Sequence, residues 1–379
     1  MEKKIAYIIN HKSFFSSHLL PIALKARKKG YKIKLFCGIG GSKSMEIHFN
    51  KILNKNKIIF EKFKFYSASL NLISEIKAFY DLLIKIKKYK PTLIHSATPK
   101  GIIYGGLISL ILNVNGIVFF ISGMGFLYSN KLTIKEKLFK IIYILLKKII
   151  FLKKNKMLII ENHDDIKFFK KKYGIKNQIS FIKGSGVDLD KFKPIKSSKK
   201  KVVIMPSRVL REKGVTEFIL AADILKREFP EWNFKIVGAL DYSKQSSYSK
   251  VELLKLNKNK SVSFTGYEKN ILKYYRSASI VCLPSYREGL SKTLSEAASC
   301  GIPIVTTNVI GCKSAVIRNK TGFLCKPKNH LSLKNKLRIL IKSKKLREKF
   351  GVNARNFAKK NFDVNMVISK NLKNYESLC

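Results

Sequence analysis

The chain has 379 residues, of which 46% are hydrophobic and 26% charged, so it is long and apolar enough for two globular domains and is not a disordered polypeptide. Its formal net charge of +52 comes mostly from lysine. One interpretation of this excess is a compositional bias toward lysine that has no functional meaning. The other is a surface attracted to nucleotide phosphates and anionic lipid head groups rather than to nucleic acid, because specific nucleic-acid readers favour the planar fork of arginine. The six cysteines form no CxxC pair, which indicates reduced thiols and argues against a zinc site.

Neither a secretion signal nor a membrane span is expected. The start, MEKKIAYIIN, contains only a strand-length apolar run. The stretch Gly101–Asn130 has no charged residue, but Asn113–Gly116 interrupts it, so we interpret it as a helix, a turn, a strand and a Gly-rich loop. We therefore expect a cytoplasmic protein.

The first half alternates strand-length apolar runs with helical patterns, which is typical of a parallel sheet covered on both faces. The predicted strands are Lys4–Ile9, Tyr31–Phe36, Thr92–His95, Ile117–Ser122 and Met157–Glu161. The predicted helices are His18–Lys29, Leu70–Lys88, Gly101–Leu112, Thr133–Leu152 and Asp165–Tyr173.

The segment Gly184–Lys201 holds glycines, a proline and a run of lysines, and it indicates a domain boundary. After it the alternation restarts. The predicted strands are Val202–Met205, Asn233–Val237, Val262–Phe264, Ser279–Leu283 and Ile304–Thr306. The predicted helices are Val215–Glu228, Ile271–Arg276, Ser291–Cys300, Leu331–Ser343, Leu346–Asn361 and Val364–Leu378.

We therefore predict an α/β protein with two Rossmann-like, doubly wound domains that face each other across a cleft. The N-terminal domain spans 1–190 and the C-terminal domain 191–361. The remaining residues, 362–379, form a helix that packs back on the N-terminal domain.

The segment Leu283–Asn308 carries the strongest functional signal. Ser291 is a good N-cap for the helix that follows, and Gly301 ends that helix. Glu288 precedes the helix and Glu296 lies inside it. The first amides of the helix and its dipole make an anion site suited to a diphosphate, with a carboxylate on each side for sugar hydroxyls. The alternative from spacing alone is an ordinary strand–turn–helix with solvated glutamates.

This segment resembles the donor-site signature of the retaining, GT-B-fold glycosyltransferases of family four, in which seven residues separate two glutamates. A second block, SRVLREKGVTEFILAA, resembles the family's diphosphate-binding turn and implies that Arg208 and Lys213 hold the donor diphosphate. A third, FTGY, resembles the turn that contacts uracil through its backbone. The resemblance covers the second half almost completely and the first half loosely.

The resemblance implies a UDP-sugar donor, a retaining transfer, no cofactor and no required metal. Glu288, Arg208 and Lys213 are the implied catalytic residues: Glu288 orients the donor sugar, and the two cations neutralise the diphosphate. Glu296 holds the ribose. The other implied donor-binding residues are Gly289, Leu290, Ser291, Gly266, Tyr267, Gly123 and Gly125. The DxD string at Asp188–Asp190 lies in the connector between the domains and is not interpreted as a metal site.

In the first half, His11–Gly30 resembles the acceptor-side loop and helix of bacterial polysaccharide and glycan transferases. Ser67–Lys77 and His95–Gly101 resemble enzymes that add an N-acetylhexosamine to an undecaprenyl-diphosphate-linked sugar. One departure is Pro99, where those relatives often carry a histidine. The acceptor-side candidates are Ser16, Ser17, His18 and His95. A structural histidine is the alternative for each of the last two.

The predicted helix Thr133–Leu152 mixes lysines with large apolar residues. Such a helix suits an anionic bilayer surface, and the alternative is a core helix with snorkelling lysines. Together these features predict transfer of a hexose or N-acetylhexosamine to a lipid-linked glycan at the inner face of the cytoplasmic membrane. The rival hypotheses are an epimerase-like enzyme of the same fold and a basic nucleic-acid-binding protein.

Overall fold

The computed structural model describes residues 2–39, 43–66, 71–123, 134–195, 201–241 and 246–379. These residues form two compact units. The first unit comprises Met1–Ser185 together with Asn365–Cys379, and the second comprises Gly186–Val364.

The first unit is built on a seven-stranded parallel sheet in the order β3-β2-β1-β4-β5-β6-β7. Its strands are β1 (Lys4–Ile9), β2 (Lys32–Ile39), β3 (Ile59–Tyr66), β4 (Leu93–Ala97), β5 (Gly116–Ile121), β6 (Lys156–Ile160) and β7 (Ile179–Phe181). The five strands that the sequence predicts are present, with ends shifted by up to three residues. The predicted set lacks β3 and β7, because their short or lysine-interrupted apolar runs do not stand out from the flanking chain.

The helices of this unit cover both faces of the sheet. They are α1 (Lys12–Phe14), α2 (Leu20–Lys28), α3 (Lys43–Lys55), α4 (Leu72–Tyr89), α5 (Pro99–Ile111), α6 (Ile134–Ile150) and α7 (His163–Tyr173). One buried cluster joins α2 and α3 to the sheet, and a second joins α4, α5, α6 and α7 to its other face. The sequence analysis does not predict α3.

The predicted start of the first helix at His18 is wrong. Helical structure begins at Lys12, and a π-helical turn, Phe15–Leu19, joins α1 to α2. The physical reason is Pro21, which has no N–H for the carbonyl of Ser17. The helix before Pro21 therefore forms a wider π-helical turn, in which the Leu20 N–H donates to the Phe15 carbonyl instead.

The second unit is built on a six-stranded parallel sheet in the order β10-β9-β8-β11-β12-β13. Its strands are β8 (Val202–Pro206), β9 (Asn233–Val237), β10 (Val262–Phe264), β11 (Ile280–Leu283), β12 (Ile304–Thr307) and β13 (Gly322–Cys325). Its helices are α8 (Val215–Glu228), α9 (Lys250–Leu256), α10 (Leu272–Ser277), α11 (Lys292–Ser299), α12 (His330–Lys342) and α13 (Lys344–Asn361). The sequence analysis does not predict α9 and β13; its other elements here agree within about two residues.

The last helix, α14 (Val364–Glu376), belongs to the first unit from Asn365 onward. Its buried residues, Val367, Leu372 and Tyr375, join the same cluster as α2 and β1. Two parallel, doubly wound sheets confirm the predicted fold class. Across the described ranges, no helix has the length and apolar character needed to cross a bilayer.

In each sheet the strand order reverses beside the first strand. β1 lies between β2 and β4, and β8 lies between β9 and β11. Ligands of open α/β sheets bind outside the carboxyl ends of the strands at such a reversal. The loops that follow β8 and β11 are therefore where a ligand of the second unit is expected.

Candidate active site

Three loops converge at the carboxyl edge of the second sheet: 207–214 after β8, 284–291 after β11 and 308–312 after β12. Two threonine hydroxyls hold the starts of the first two loops by donating to the carbonyls at the ends of β8 and β11. Thr293 donates to the Pro206 carbonyl at 3.1 Å, and Thr306 donates to the Leu283 carbonyl at 2.6 Å. The two blocks that the sequence analysis singles out, 75 residues apart, thus become neighbours.

Lys213 and Glu288 form an ion pair between the first two loops. The Lys213 Nζ lies 2.6 Å from Glu288 Oε1, and the Ser285 hydroxyl donates to the same oxygen at 2.7 Å. The side chains are 19% and 15% exposed, so the pair is shielded from most solvent yet reachable. A shielded ammonium is a stronger ligand for phosphate oxygens than a fully solvated one.

Two glycines allow the loops to approach this closely. Gly214 has φ +76°, and a Cβ there would lie 2.2 Å from the Pro284 carbonyl oxygen. Gly311 has φ +82°, and a Cβ there would lie 2.3 Å from the carbonyl oxygen of Glu288 and 2.4 Å from that of Gly289. Real Cβ atoms do not approach backbone this closely, so both positions require glycine.

Tyr286 connects the loop 284–291, which carries Glu288 and is called the glutamate loop below, to α8. Its hydroxyl lies 2.9 and 3.0 Å from the two carboxylate oxygens of Glu217, and its backbone N–H donates to the Glu212 carbonyl at 2.9 Å. Glu217 is buried in the first turn of α8. Sequence reasoning missed this contact, because the two residues lie 69 positions apart in blocks whose signal came from other residues.

We expect Tyr286→Phe to lower the free energy of unfolding by about 1.5 kcal/mol and to weaken UDP binding, because the buried Glu217 carboxylate loses its donor and the loop loses its anchor. Denaturant unfolding and calorimetric titration with UDP measure the two effects. Tyr104→Phe is the matched control, since it removes a comparable hydroxyl–carboxylate bond to Glu75 in the other unit. If Tyr286→Phe binds UDP as tightly as the Tyr104→Phe control does, the anchoring role is wrong.

Glu296 lies on α11, whose N-cap is Ser291, as the sequence predicts. The Tyr275 hydroxyl lies 3.0 Å from Glu296 Oε2. Burial raises the pKa of Glu296, and the nearby Lys292 only partly opposes it. Burial likewise lowers the pKa of Lys292. Folding therefore disfavours the ionised form of Glu296, and a carboxyl with a pKa perturbed in this way is a feature of functional sites.

We expect Glu296→Gln to melt above the wild type at pH 7, because a pKa raised by folding means that ionised Glu296 destabilises the native state. As pH falls below the raised pKa, the native carboxyl becomes protonated and the difference begins to shrink; it vanishes only when pH is also below the ordinary carboxyl pKa of 4.5, where the unfolded chain is protonated too. The affinity for UDP is expected to fall in the variant, although its melting temperature rises. Melting curves from pH 7 down to pH 4 and UDP titration measure both. A variant that melts below the wild type at neutral pH would contradict the argument.

Arg208 has a different carboxylate partner. Its Nη1 lies 2.7 Å from Asp241 Oδ2, after the end of β9, and its side chain is 53% exposed. Exposed ion pairs contribute about 0–1 kcal/mol, so the guanidinium can exchange this partner at little cost. Lys213 and Arg208 are thus held by different carboxylates, and their joint contact with one diphosphate stays a prediction.

The remaining predicted donor residues of this unit lie in two places. Gly289 and Leu290 continue the glutamate loop, and Leu290 packs into the core. Gly266 and Tyr267 follow β10, where Gly266 has φ +73° and Tyr267 is 48% exposed. A backbone turn with open space around the glycine and an exposed ring beside it can receive a planar base.

The connector that carries the DxD string is a local turn. The Asp188 carboxylate accepts the N–H groups of Asp190 and Lys191 at 3.1 and 2.9 Å. Across the residues that the structure describes, no three His, Cys, Asp or Glu side chains are grouped as metal ligands. The absence of a metal requirement stays a prediction.

In the first unit, three of the acceptor-side candidates share the π-helical turn. The Ser16 hydroxyl is buried and has no hydrogen-bond partner among the described residues. The Ser17 hydroxyl donates to the Ser13 carbonyl at 2.7 Å and lies 2.6 Å from His18 Nδ1. The His18 ring stacks on Phe14 at 4.3 Å. An interrupted helix with a buried, unsatisfied hydroxyl is a frequent feature of functional sites.

His95 does not end its strand, and that expectation is wrong. It lies in the middle of β4 with its side chain fully buried. Its Nδ1 is 2.7 Å from the hydroxyl of Tyr375 on α14, and that hydroxyl is 3.0 Å from the hydroxyl of Tyr7. Burial lowers the pKa of His95 to about 3, so the ring is neutral at physiological pH. The environment favours the structural alternative over contact with an acceptor.

Of the two glycines predicted to face the donor, Gly123 follows β5 with φ +129°. Gly125 lies outside the described residues.

Comparison with known proteins gives a consistent result for both units. Residues 186–357 match the family model described as glycosyl transferases group 1, and residues 4–153 match the model described as glycosyl transferase 4-like. A Campylobacter jejuni protein, N,N'-diacetylbacillosaminyl-diphospho-undecaprenol α-1,3-N-acetylgalactosaminyltransferase, is 30% identical over 83% of this chain and 84% of its own length. An Escherichia coli protein, UDP-Gal:α-D-GlcNAc-diphosphoundecaprenol α-1,3-galactosyltransferase, is 26% identical over 68% of both chains.

Among solved structures, Anabaena HepE in complex with UDP and glucose superposes with a TM-score of 0.80 over 99% of this chain and 100% of its own, at 19% identity. Sucrose-phosphate synthase from Thermosynechococcus elongatus superposes with a TM-score of 0.79 over 99% of both chains, at 17% identity. These likenesses establish the GT-B fold of the two units. The family matches and the C. jejuni relative, taken with this fold, show that the chain belongs to the GT-B glycosyltransferases with a group 1 C-terminal half and is itself a glycosyltransferase.

Proposed function

We propose that this glycosyltransferase moves a hexose or N-acetylhexosamine from a UDP-sugar to a lipid-linked glycan, with retention of anomeric configuration. The observation that carries the proposal is the shielded Lys213–Glu288 pair at the carboxyl edge of the second sheet, bounded by the α11 N-terminus. The two relatives named above, whose names specify undecaprenol-diphosphate-linked acceptors, support the acceptor class. HepE, solved with UDP and glucose, supports the donor class.

In the proposed reaction the acceptor hydroxyl oxygen forms a bond to the anomeric carbon on the face that UDP leaves, while the bond between that carbon and the β-phosphate oxygen breaks and negative charge grows on the leaving UDP. Lys213 exchanges its carboxylate partner for phosphate oxygens, and Arg208 turns from Asp241 to the same diphosphate. Glu288, released by Lys213, accepts hydrogen bonds from hydroxyls of the transferred sugar. Glu296 accepts hydrogen bonds from the ribose. The leaving phosphate takes the acceptor proton, so the transfer needs no protein base.

No metal and no cofactor enters this proposal, because two cations and a helix N-terminus supply the positive field that a diphosphate requires. The acceptor-side residues are Ser16, Ser17 and His18 of the π-helical turn. Because the acceptor carries a lipid, we place the reaction at the inner face of the cytoplasmic membrane, in surface polysaccharide or glycoprotein glycan synthesis.

The deciding experiment is a thermal-shift panel on the full chain with UDP, GDP, ADP and their sugars, with and without EDTA. We expect UDP and one UDP-sugar to raise the melting temperature, unchanged by EDTA. A cooperatively melting protein that responds to none of the nucleotides would refute the donor site. Isomerisation of the UDP-sugar without any acceptor would favour the epimerase-like alternative instead.

A further inference from the structure

Helix α6 is apolar on its solvent side as well as on its packed side, where Tyr143 and Ile150 are buried. Its outward side chains are large and apolar: Leu138, Ile141, Ile142, Leu145 and Ile149 are each between 38% and 58% exposed. A lysine points inward instead, since Lys147 is buried with its Nζ 4.5 Å from the Tyr143 ring centroid and 5.0 Å from that of Phe169. The exposed positions are three or four residues apart and form one stripe along the helix.

Helix α4 carries a second stripe of the same kind. Its exposed apolar residues are Leu72, Ile73, Ile76, Tyr80 and Ile84, each between 52% and 67% exposed. The opposite side of α4 packs on the sheet in the same buried cluster that contains α5 and α6. Both helices contact α5, so the two stripes lie on the outer surface of one helical layer. Ten exposed large apolar side chains on one layer exceed what single, scattered surface residues explain.

The charge around these stripes is positive. Exposed lysines accompany both: Lys77, Lys87 and Lys88 on α4, and Lys137 and Lys148 on α6. The two carboxylates of α4 are already engaged, because Glu75 binds Lys100 and the Tyr104 hydroxyl, and Asp81 binds Lys85. An anionic bilayer matches both features of this surface, because its acyl boundary accepts the apolar side chains and its head groups attract the lysines. A second copy of this basic chain would instead repel the lysines.

We infer that the outer faces of α4 and α6 form one membrane-docking surface, in which the apolar stripes enter the head-group boundary of an anionic bilayer and the lysines contact its phosphates. This inference rests on the proposed lipid-linked acceptor and assigns the membrane contact to particular residues. It differs from attraction by the basic surface alone, because the apolar side chains supply the part of the binding that salt does not screen.

The test is flotation of the full-length protein with vesicles of phosphatidylcholine and about 30% phosphatidylglycerol, which gives the vesicles a negatively charged surface. Leu145→Gln/Ile149→Gln removes part of the α6 stripe, and Ile76→Gln/Tyr80→Gln removes part of the α4 stripe. We expect each double variant to partition at least about tenfold more weakly than the wild type, in 0.15 M salt as in 0.5 M salt. The matched control is Val251→Gln/Leu254→Gln, which changes two comparably exposed apolar residues of α9 in the other unit.

Melting temperature and UDP thermal shift are measured on every variant, so that loss of the fold or of the donor site is distinguished from loss of docking. The inference is overturned if wild type does not float with anionic vesicles, or if the α4 and α6 variants float as the α9 control does. It is also overturned if wild type is a dimer that these variants convert to monomers, since a second copy would then cover the face. A UDP response without flotation would leave the donor proposal intact and reject only this surface.

Discussion

Lys213→Ala is expected to lower kcat by roughly two to three orders of magnitude, the usual effect of removing one preorganised electrostatic contact to a developing charge. The ammonium is shielded and held 2.6 Å from Glu288 Oε1 in the turn between β8 and α8. No other cation of the loop is held at Glu288, since Arg208 binds Asp241 and Arg211 binds Glu252 among the described residues. Turnover of UDP-sugar with a lipid-linked acceptor, under saturating donor, measures the loss.

The variant is expected to stay folded, because Ser285 still donates to the Glu288 oxygen that Lys213 leaves. Lys201→Ala is the control: it breaks an exposed ion pair with Glu231 in the same unit, outside the three loops, and should keep full activity. Wild-type turnover in Lys213→Ala, at an unchanged melting temperature, would remove Lys213 from the mechanism.

Gly311→Ala is expected to destabilise the second unit by about 2–5 kcal/mol and to abolish detectable UDP binding. A left-handed backbone conformation costs a non-glycine residue roughly 1–2 kcal/mol, and forced overpacking costs roughly 1–3 kcal/mol more. The new methyl would meet the carbonyl oxygens of Glu288 and Gly289, so relief of the clash must displace the glutamate loop itself. Denaturant unfolding and UDP titration measure the two effects.

Gly174→Ala is the control that measures only the cost of a left-handed backbone conformation, without a steric clash. Gly174 also has a positive φ, +66°, at the end of α7, but nothing lies within 4 Å of a Cβ there. This control should lose only the conformational part of the stability and should bind UDP normally. If the two alanine variants lose the same free energy of unfolding and bind UDP equally well, the close approach of Gly311 to the glutamate loop is not needed for UDP binding.

The sequence alone determined the fold class, because the alternation of short apolar runs with helical patterns follows from backbone periodicity and survives without knowledge of partners. Capping is equally local: Ser291 starts α11 in the structure because a hydroxyl next to the first free amides acts within one turn. The two donor blocks were associated with one site through their resemblance to the family's donor-site signature, because spacing alone left an ordinary strand–turn–helix open.

Tertiary structure decided what depends on distant neighbours. The burial of His95 depends on Tyr375, 280 residues away. The Tyr286–Glu217 contact and the glycine at 311 matter only because loops from three strands meet at one sheet edge. The orientation of α6, which buries Lys147 with Ile150 and exposes Leu145 and Ile149, is likewise fixed by which face packs on the sheet. Periodicity defines a helix's faces, but only packing selects the one that turns toward the core.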